Sequence, residues 1–242
     1  MECGFTFKHY KEILELFLER GYEFSPFEYT EEKKKRVYLR HDIDHSIKRA
    51  VGLARIEYNY GVKATYCIRF ASPFDNPFSY ENVKFIDEIV KYGHYLALHY
   101  ESREKTDYNG KDISYYLDIM KSVFNVADVV SFHRPTDKVF GKSFKGFVNV
   151  YDKIFYDDAR YLSDSTGRWR DGCPCEWLNK MTEEETYHIL IHPYWWERTN
   201  DDPCKHIHNF LKERMYNDDE LIFNDNPFYK DRIIDNDHEK KL

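Results

Sequence analysis

The chain has 242 residues, 42% of them hydrophobic and 33% charged, with a formal net charge of −7; this is a globular composition with enough apolar residues for one sizeable core. The acidic balance excludes nucleic acid as the main partner, because binding phosphates requires a concentrated positive surface. No apolar window approaches the roughly 20 residues that cross a bilayer, so membrane insertion is excluded as well.

The predicted elements alternate. Residues 8–20 read as an amphipathic helix with Tyr10, Ile13, Leu14, Phe17 and Leu18 on one face, stopped by Gly21. Val37-Tyr38-Leu39 opens a strand that runs into Asp44, and a helix over residues 46–60 ends at Gly61. A second strand covers 64–70. The helix of residues 78–92, begun by Asn76-Pro77 and ended by Gly93, follows it. Strands over 95–101 and 126–133 flank a helix at 112–124. Shorter strands are expected at 147–150, 159–164 and 187–192, then a last helix near 204–216 and a polar tail from about 230.

Strands alternating with helices imply parallel pairing, and their number implies an α/β fold, a (β/α) barrel of about seven or eight parallel strands. A doubly wound open sheet is the alternative. No glycine-rich phosphate loop, internal repeat or linker divides the chain, so one domain over residues 1–242 is expected. The five cysteines, at positions 3, 67, 173, 175 and 204, are odd in number and scattered, as in a reducing compartment. Met1-Glu2-Cys3-Gly4 leads into no apolar stretch, and a cytoplasmic location is expected. Cys173-Pro174-Cys175 could bind metal, but a single Cys-x-Cys without a second pair is weak ground for a site.

The unusual polar residues gather at the C-terminal ends of the predicted strands, the edge where parallel α/β folds build their sites. Asp42 and Asp44 alternate along one strand end, as do His99 and Glu101 on another, so each pair shares a face. His133-Arg134, Asp164 and His192 end three further strands. Each has a bland reading taken singly: Asp44 can cap the helix beside Ser46, His99 can be a core histidine, and Arg134 can make a structural bridge. Together, carboxylates and imidazoles suit zinc or a similar divalent ion, which polarises a carbonyl and acidifies bound water.

In this order the segments resemble the motifs of the polysaccharide deacetylase (NodB-homology) superfamily, metal-dependent N-deacetylases with a distorted (β/α) barrel. Leu39-Arg40-His41-Asp42-Ile43-Asp44 resembles the first motif, in the variant with one residue between the aspartates; the resemblance implies Asp42 as base and Asp44 as metal ligand. The second motif, His-x-x-x-His, supplies His99, but its second histidine falls on Arg103, which cannot ligate a cation. His133, or Glu101, is then the expected third ligand, imidazole being preferred because it keeps the ligand type. Ser131-Phe132-His133-Arg134-Pro135 is similar to the third motif, whose arginine orients the base. The segment from Leu162 to Gly172 resembles the fourth, with Asp164 its aspartate. Ile189-Leu190-Ile191-His192-Pro193 resembles the fifth, whose histidine is the general acid.

The resemblance implies a hydrolase that removes an N-acyl group, acetyl foremost, from an amino sugar or a cytoplasmic glycan precursor, with zinc as the expected ion and cobalt, nickel or iron as alternatives. Tyr100, Trp169 and Trp195 are the candidates to shape a sugar pocket in this aromatic-rich chain. Two other readings are a hydrolase of a small non-sugar amide or ureide, and an inactive barrel retained for binding.

Overall fold

The computed structural model describes residues 3–30, 35–101, 110–180, 185–196 and 202–226. Arg103 and the polar tail from about 230 lie outside the described residues. The chain divides into two compact units, residues 1–200 and 201–242.

The first unit holds the sheet. Helix α1 (Phe7–Glu19) is capped by the Thr6 hydroxyl, which accepts from the His9 N–H at 3.2 Å. Gly21, at φ +74°, turns the chain into the short strand β1 (Glu23–Phe24). Strand β2 (Arg36–Ile43) is buried from Val37 onward, as a central parallel strand must be. There follow α2 (Ile47–Asn59), β3 (Thr65–Arg69), α3 (Tyr80–Lys91), β4 (Tyr95–Tyr100), α4 (Gly110–Val123) and β5 (Val126–Phe132). Next come β6 (Val148–Asn149), the single-turn α5 (Lys153–Tyr156), β7 (Arg160–Ser163), α6 (Pro174–Lys180) and β8 (Tyr187–Ile191). The two-residue β1 and the short α5 and α6 are too brief to show a period in the sequence.

All pairings are parallel, in the order β6-β5-β4-β3-β2-β8-β7, with β1 paired to the start of β2. The end strands β6 and β7 do not pair with each other among the described residues, so the sheet curls into a half-barrel, the distorted (β/α) barrel architecture.

The back of β2 is pinned by a buried polar cluster. The Glu57 carboxylate of α2 meets His41 Nε2 at 2.7 Å and accepts from the hydroxyls of Tyr66 (2.8 Å) and Tyr10. His94 Nδ1 lies 3.5 Å away. His41 points to the side of β2 opposite Asp42, as the alternation of strand side chains requires. The cap of α2 is Ser46, whose hydroxyl accepts from the Arg49 N–H, while Asp75 accepts from the Ile47 N–H at 2.8 Å. Asp44 therefore is not needed as a cap.

The second unit carries α7 (Pro203–Asp225), opened by Asp202, whose carboxylate accepts from the Cys204 N–H at 2.7 Å. It runs about nine residues past the end expected near 216, because nothing after that point stops a helix before Pro227. Among the described residues no helix is long and apolar enough to cross a membrane.

Candidate active site

A cleft of about 730 Å³ opens at the C-terminal edge of the sheet, lined by Asp42, Asp44, His99, Glu101, His133, Arg134, His192 and Trp195 among others. Strand register explains much of the gathering. Asp42 on β2 lies beside Cys67 of β3, Arg69 of β3 beside His99 of β4, and His99 beside Ser131 of β5.

Three ligand-type atoms meet there. Asp44 Oδ1 is 3.0 Å from His99 Nε2 and 3.0 Å from His133 Nδ1, and the two imidazole nitrogens are 3.3 Å apart. Ligands of a tetrahedral zinc at about 2.0–2.2 Å stand about 3.3 Å from one another. These are the three residues expected from the sequence. The alternative third ligand, Glu101, also lines the cleft but is engaged by the Arg69 guanidinium.

The donor set fits a cation for a second reason. Ser131 Oγ lies 3.0 Å from both Asp42 oxygens and 3.0 Å from His99 Nδ1. Its one proton goes to the carboxylate, so Nδ1–H of His99 donates to Ser131. Nε2 of His99 is thereby turned toward Asp44, the orientation of a metal-ligating histidine fixed from its far side.

Asp42 is buried. The guanidinium that meets it belongs to Arg40, two residues earlier on the same strand face: Nη2 donates to Oδ2 at 3.1 Å and Nε stands 3.1 Å from Oδ1. Burial works to raise the Asp42 carboxyl, and the charge of Arg40, with His99 and His192, overcomes it and leaves the group below its ordinary value. Arg134, the arginine that the motif resemblance implies for this role, lines the cleft, while Arg40 meets Asp42. The Arg40 guanidinium also donates to the Tyr151 hydroxyl at 2.7 Å, leaving it no exposed surface.

On the other side of the cleft, Asp164 follows β7 and His192 follows β8. The Asp164 carboxylate accepts from the His192 backbone N–H (3.0 Å) and from Trp196 Nε1 (2.8 Å), and contacts His192 Nδ1 at 2.6 Å. His192 Nε2 is left facing Asp44 Oδ2 at 3.8 Å. Burial opposes protonation of His192, but the charge of Asp164 prevails and raises the imidazole to about 9. Asp164 thus holds the His192 ring with Nε2 turned toward the cleft.

Two lining residues without the freedom of glycine hold left-handed backbone, Arg134 at φ +52° and Thr166 at φ +67°, the kind of local strain that gathers at functional sites.

Of the expected sugar-contacting aromatics, Trp195 lines the cleft. Tyr100 does not: it lies between His99 and Glu101 on β4, faces the other way, and packs in the core on Tyr116 and Phe132. Trp169 packs on Phe5 and Trp196, and its neighbour Arg170 reaches the cleft instead. Residues the sequence reading missed include Arg40, Ser131 and Arg69. Arg40 was legible as a charge in a strand two residues from Asp42; the other two need the register.

No protein-family model matches the chain, and no curated protein matches it. Solved structures that match include the following two. One is a peptidoglycan deacetylase of Bdellovibrio bacteriovorus, at 13% identity and TM-score 0.42 over 79% of this chain and 53% of that one. The other is the chitin deacetylase from the fungal pathogen Colletotrichum lindemuthianum, at 14% identity and TM-score 0.43 over 74% of this chain and 81% of that one. The chain spans about half the length of the Bdellovibrio protein. At this identity and overlap neither likeness speaks to the chemistry of the site.

Proposed function

We propose that the chain is a metal-dependent hydrolase of the polysaccharide deacetylase type, which removes an N-acyl group, acetyl foremost, from an amino sugar or a glycan precursor. The observation that carries the reading is the meeting of Asp44, His99 and His133 between a clamped carboxylate, Asp42, and a carboxylate-backed imidazole, His192. Asp44, His99 and His133 would hold a divalent ion, zinc by ligand type, which when bound polarises the acyl carbonyl and acidifies water.

The chain's own groups complete the reaction. Asp42 takes a proton from the water that adds to the amide carbon; Arg40 and Ser131 keep it ionised and oriented. The C–N bond breaks, and His192 delivers its Nε2 proton to the departing nitrogen, held cationic by Asp164. Acetate leaves with the oxygen of water, and the amine leaves with the proton of His192. Trp195 offers a ring face to a sugar, and Arg134 and Arg170 offer donors to its oxygens.

The reading as an inactive binding barrel rests on Arg103 standing where the resembled motif has a histidine; His133 would supply the ligand in its place. Acetate release from N-acetylated amino sugars and their nucleotide-linked precursors, with the metal-loaded protein, tests the proposal. Release that disappears in Asp42→Asn while the metal is retained supports it. No release from any such substrate by metal-loaded protein, with turnover of simple amides or ureides instead, replaces the substrate class.

A further inference from the structure

A second cluster of metal-ligand side chains lies away from the cleft. Cys3 precedes α1, His9 lies in its first turn, Cys173 ends the turn before α6, and Cys175 lies in that helix. Their ligand atoms all fall within 4.8 Å of one another. Cys3 Sγ is 3.4 Å from Cys175 Sγ, which is 3.3 Å from Cys173 Sγ. His9 Nε2 is 3.2 Å from Cys173 Sγ and 3.9 Å from Cys175 Sγ.

Zinc bonds of about 2.3 Å to sulfur and 2.0–2.1 Å to nitrogen place tetrahedral ligands about 3.5–3.8 Å apart. The observed spacings bracket that range. Three thiols and one imidazole are also a complete zinc donor set, with no position left open for water or substrate, as in structural rather than catalytic sites.

The far nitrogen of the histidine adds an independent sign. His9 Nδ1 lies 3.1 Å from Glu12 Oε2, the carboxylate partner that fixes the tautomer of a ligating imidazole and turns Nε2 toward the metal. His9, Cys173 and Cys175 are each 2% exposed, so an ion there would be shielded from solvent on most sides. The backbone is shaped to suit. Gly172, at φ +94°, holds a left-handed backbone that side chains rarely adopt, and a Cβ there would crowd Glu176 Oε2 and Trp177 Nε1 at 3.2 Å. That tight turn lays Cys173 and Cys175 side by side.

We propose that Cys3, His9, Cys173 and Cys175 form a closed structural zinc site. It ties the start of the chain to the turn after β7, across a separation of 164 residues between His9 and Cys173. Phe5, between the first two ligands, packs on Trp169 and Trp196, and Arg170 of the same loop lines the cleft. The ion thus braces one wall of the cleft without touching it.

Cobalt substitution of the full chain under reducing conditions tests this, because only thiolate ligands give near-ultraviolet sulfur-to-cobalt charge transfer and the aspartate-histidine cluster has none. The expected result is that band, at an intensity corresponding to one thiolate-bound cobalt per chain, and its absence in Cys173→Ser. Should Cys173→Ser fail to fold, X-ray absorption at the zinc edge of the wild-type protein takes its place, with sulfur scatterers at about 2.3 Å expected. Folded wild-type protein with no charge-transfer band, or with nitrogen and oxygen scatterers alone, overturns the site. So does an intact mass, in the protein as isolated under reducing conditions, that is lowered by one disulfide within the cluster.

Discussion

The Arg40 guanidinium reaches Asp42 from two residues away on one strand face, with Nη2 3.1 Å from Oδ2 and Nε 3.1 Å from Oδ1. A hydrogen bond to one oxygen and a charge contact to the other from a single planar group need arginine geometry, which lysine lacks. In Arg40→Lys the Asp42 carboxyl rises toward its ordinary value and beyond it under burial. The acid limb of the pH–rate profile then moves to higher pH, because the base must be ionised. Arg40→Met takes the guanidinium from the buried carboxylate, leaving the Ser131 hydroxyl as its hydrogen-bond donor, and should cost about 3–5 kcal/mol of stability. Rate profiles for the first variant and denaturant midpoints for the second check these outcomes.

Asp164 holds His192 through both its ring and its backbone N–H. Asp164→Asn removes the charge that favours the imidazolium and leaves the metal ligands in place. Turnover should fall by about 10²- to 10⁴-fold, the usual worth of a positioned general acid, with metal content unchanged. A variant that loses its metal instead would assign Asp164 to the coordination shell.

The strand ends were legible because apolar runs of β-branched and aromatic residues break off at charged ones, as at Ile43-Asp44 and Ile191-His192. Alternation placed Asp42 with Asp44 and His99 with Glu101. The same alternation places Tyr100 in the core, between two cleft residues. The arginine that holds Asp42 was hidden by a motif resemblance pointing at Arg134, although Arg40 has the right parity. Cys3 and His9 could not be joined to Cys173-Pro174-Cys175, because only the folded sheet brings α1 beside α6.

Glu57 gathers His41, Tyr66 and Tyr10 in full burial behind β2. Burial works to raise its carboxyl, and His41 and His94 outweigh it and hold the group below its ordinary value. Glu57→Gln keeps the shape and removes the charge that these partners converge on. The expected loss is about 3–5 kcal/mol, as for a broken buried pair, seen as a lower urea midpoint. Metal stoichiometry at the cleft should survive in the folded fraction, since Glu57 lies on the opposite face of β2.

His188 is fully buried on β8, its Nδ1 3.0 Å from the Phe155 carbonyl oxygen. Burial first, and then the charge of Arg40, hold it well below 6.5. In the unfolded chain the imidazole takes a proton near pH 6.5; in the folded one it does not. Stability is therefore fully present above that value and declines as pH falls below it, by up to about 1.4 kcal/mol per pH unit for each imidazole kept neutral. Burial also lowers His94 and His45, which add to the decline. Urea midpoints between pH 6.5 and about 5, where His192 is protonated in the folded and unfolded chain alike, should fall for the wild type and fall less steeply for His188→Gln.

The coordination of Asp44, His99 and His133 is the claim on which the enzyme reading rests. Zinc titration of metal-free protein, comparing wild type with the double variant Asp44→Ala, His99→Ala, addresses it without reference to substrate. The folded double variant should bind one equivalent fewer than the wild type and lose acetate release altogether. Equal stoichiometry in the two proteins would contradict the site.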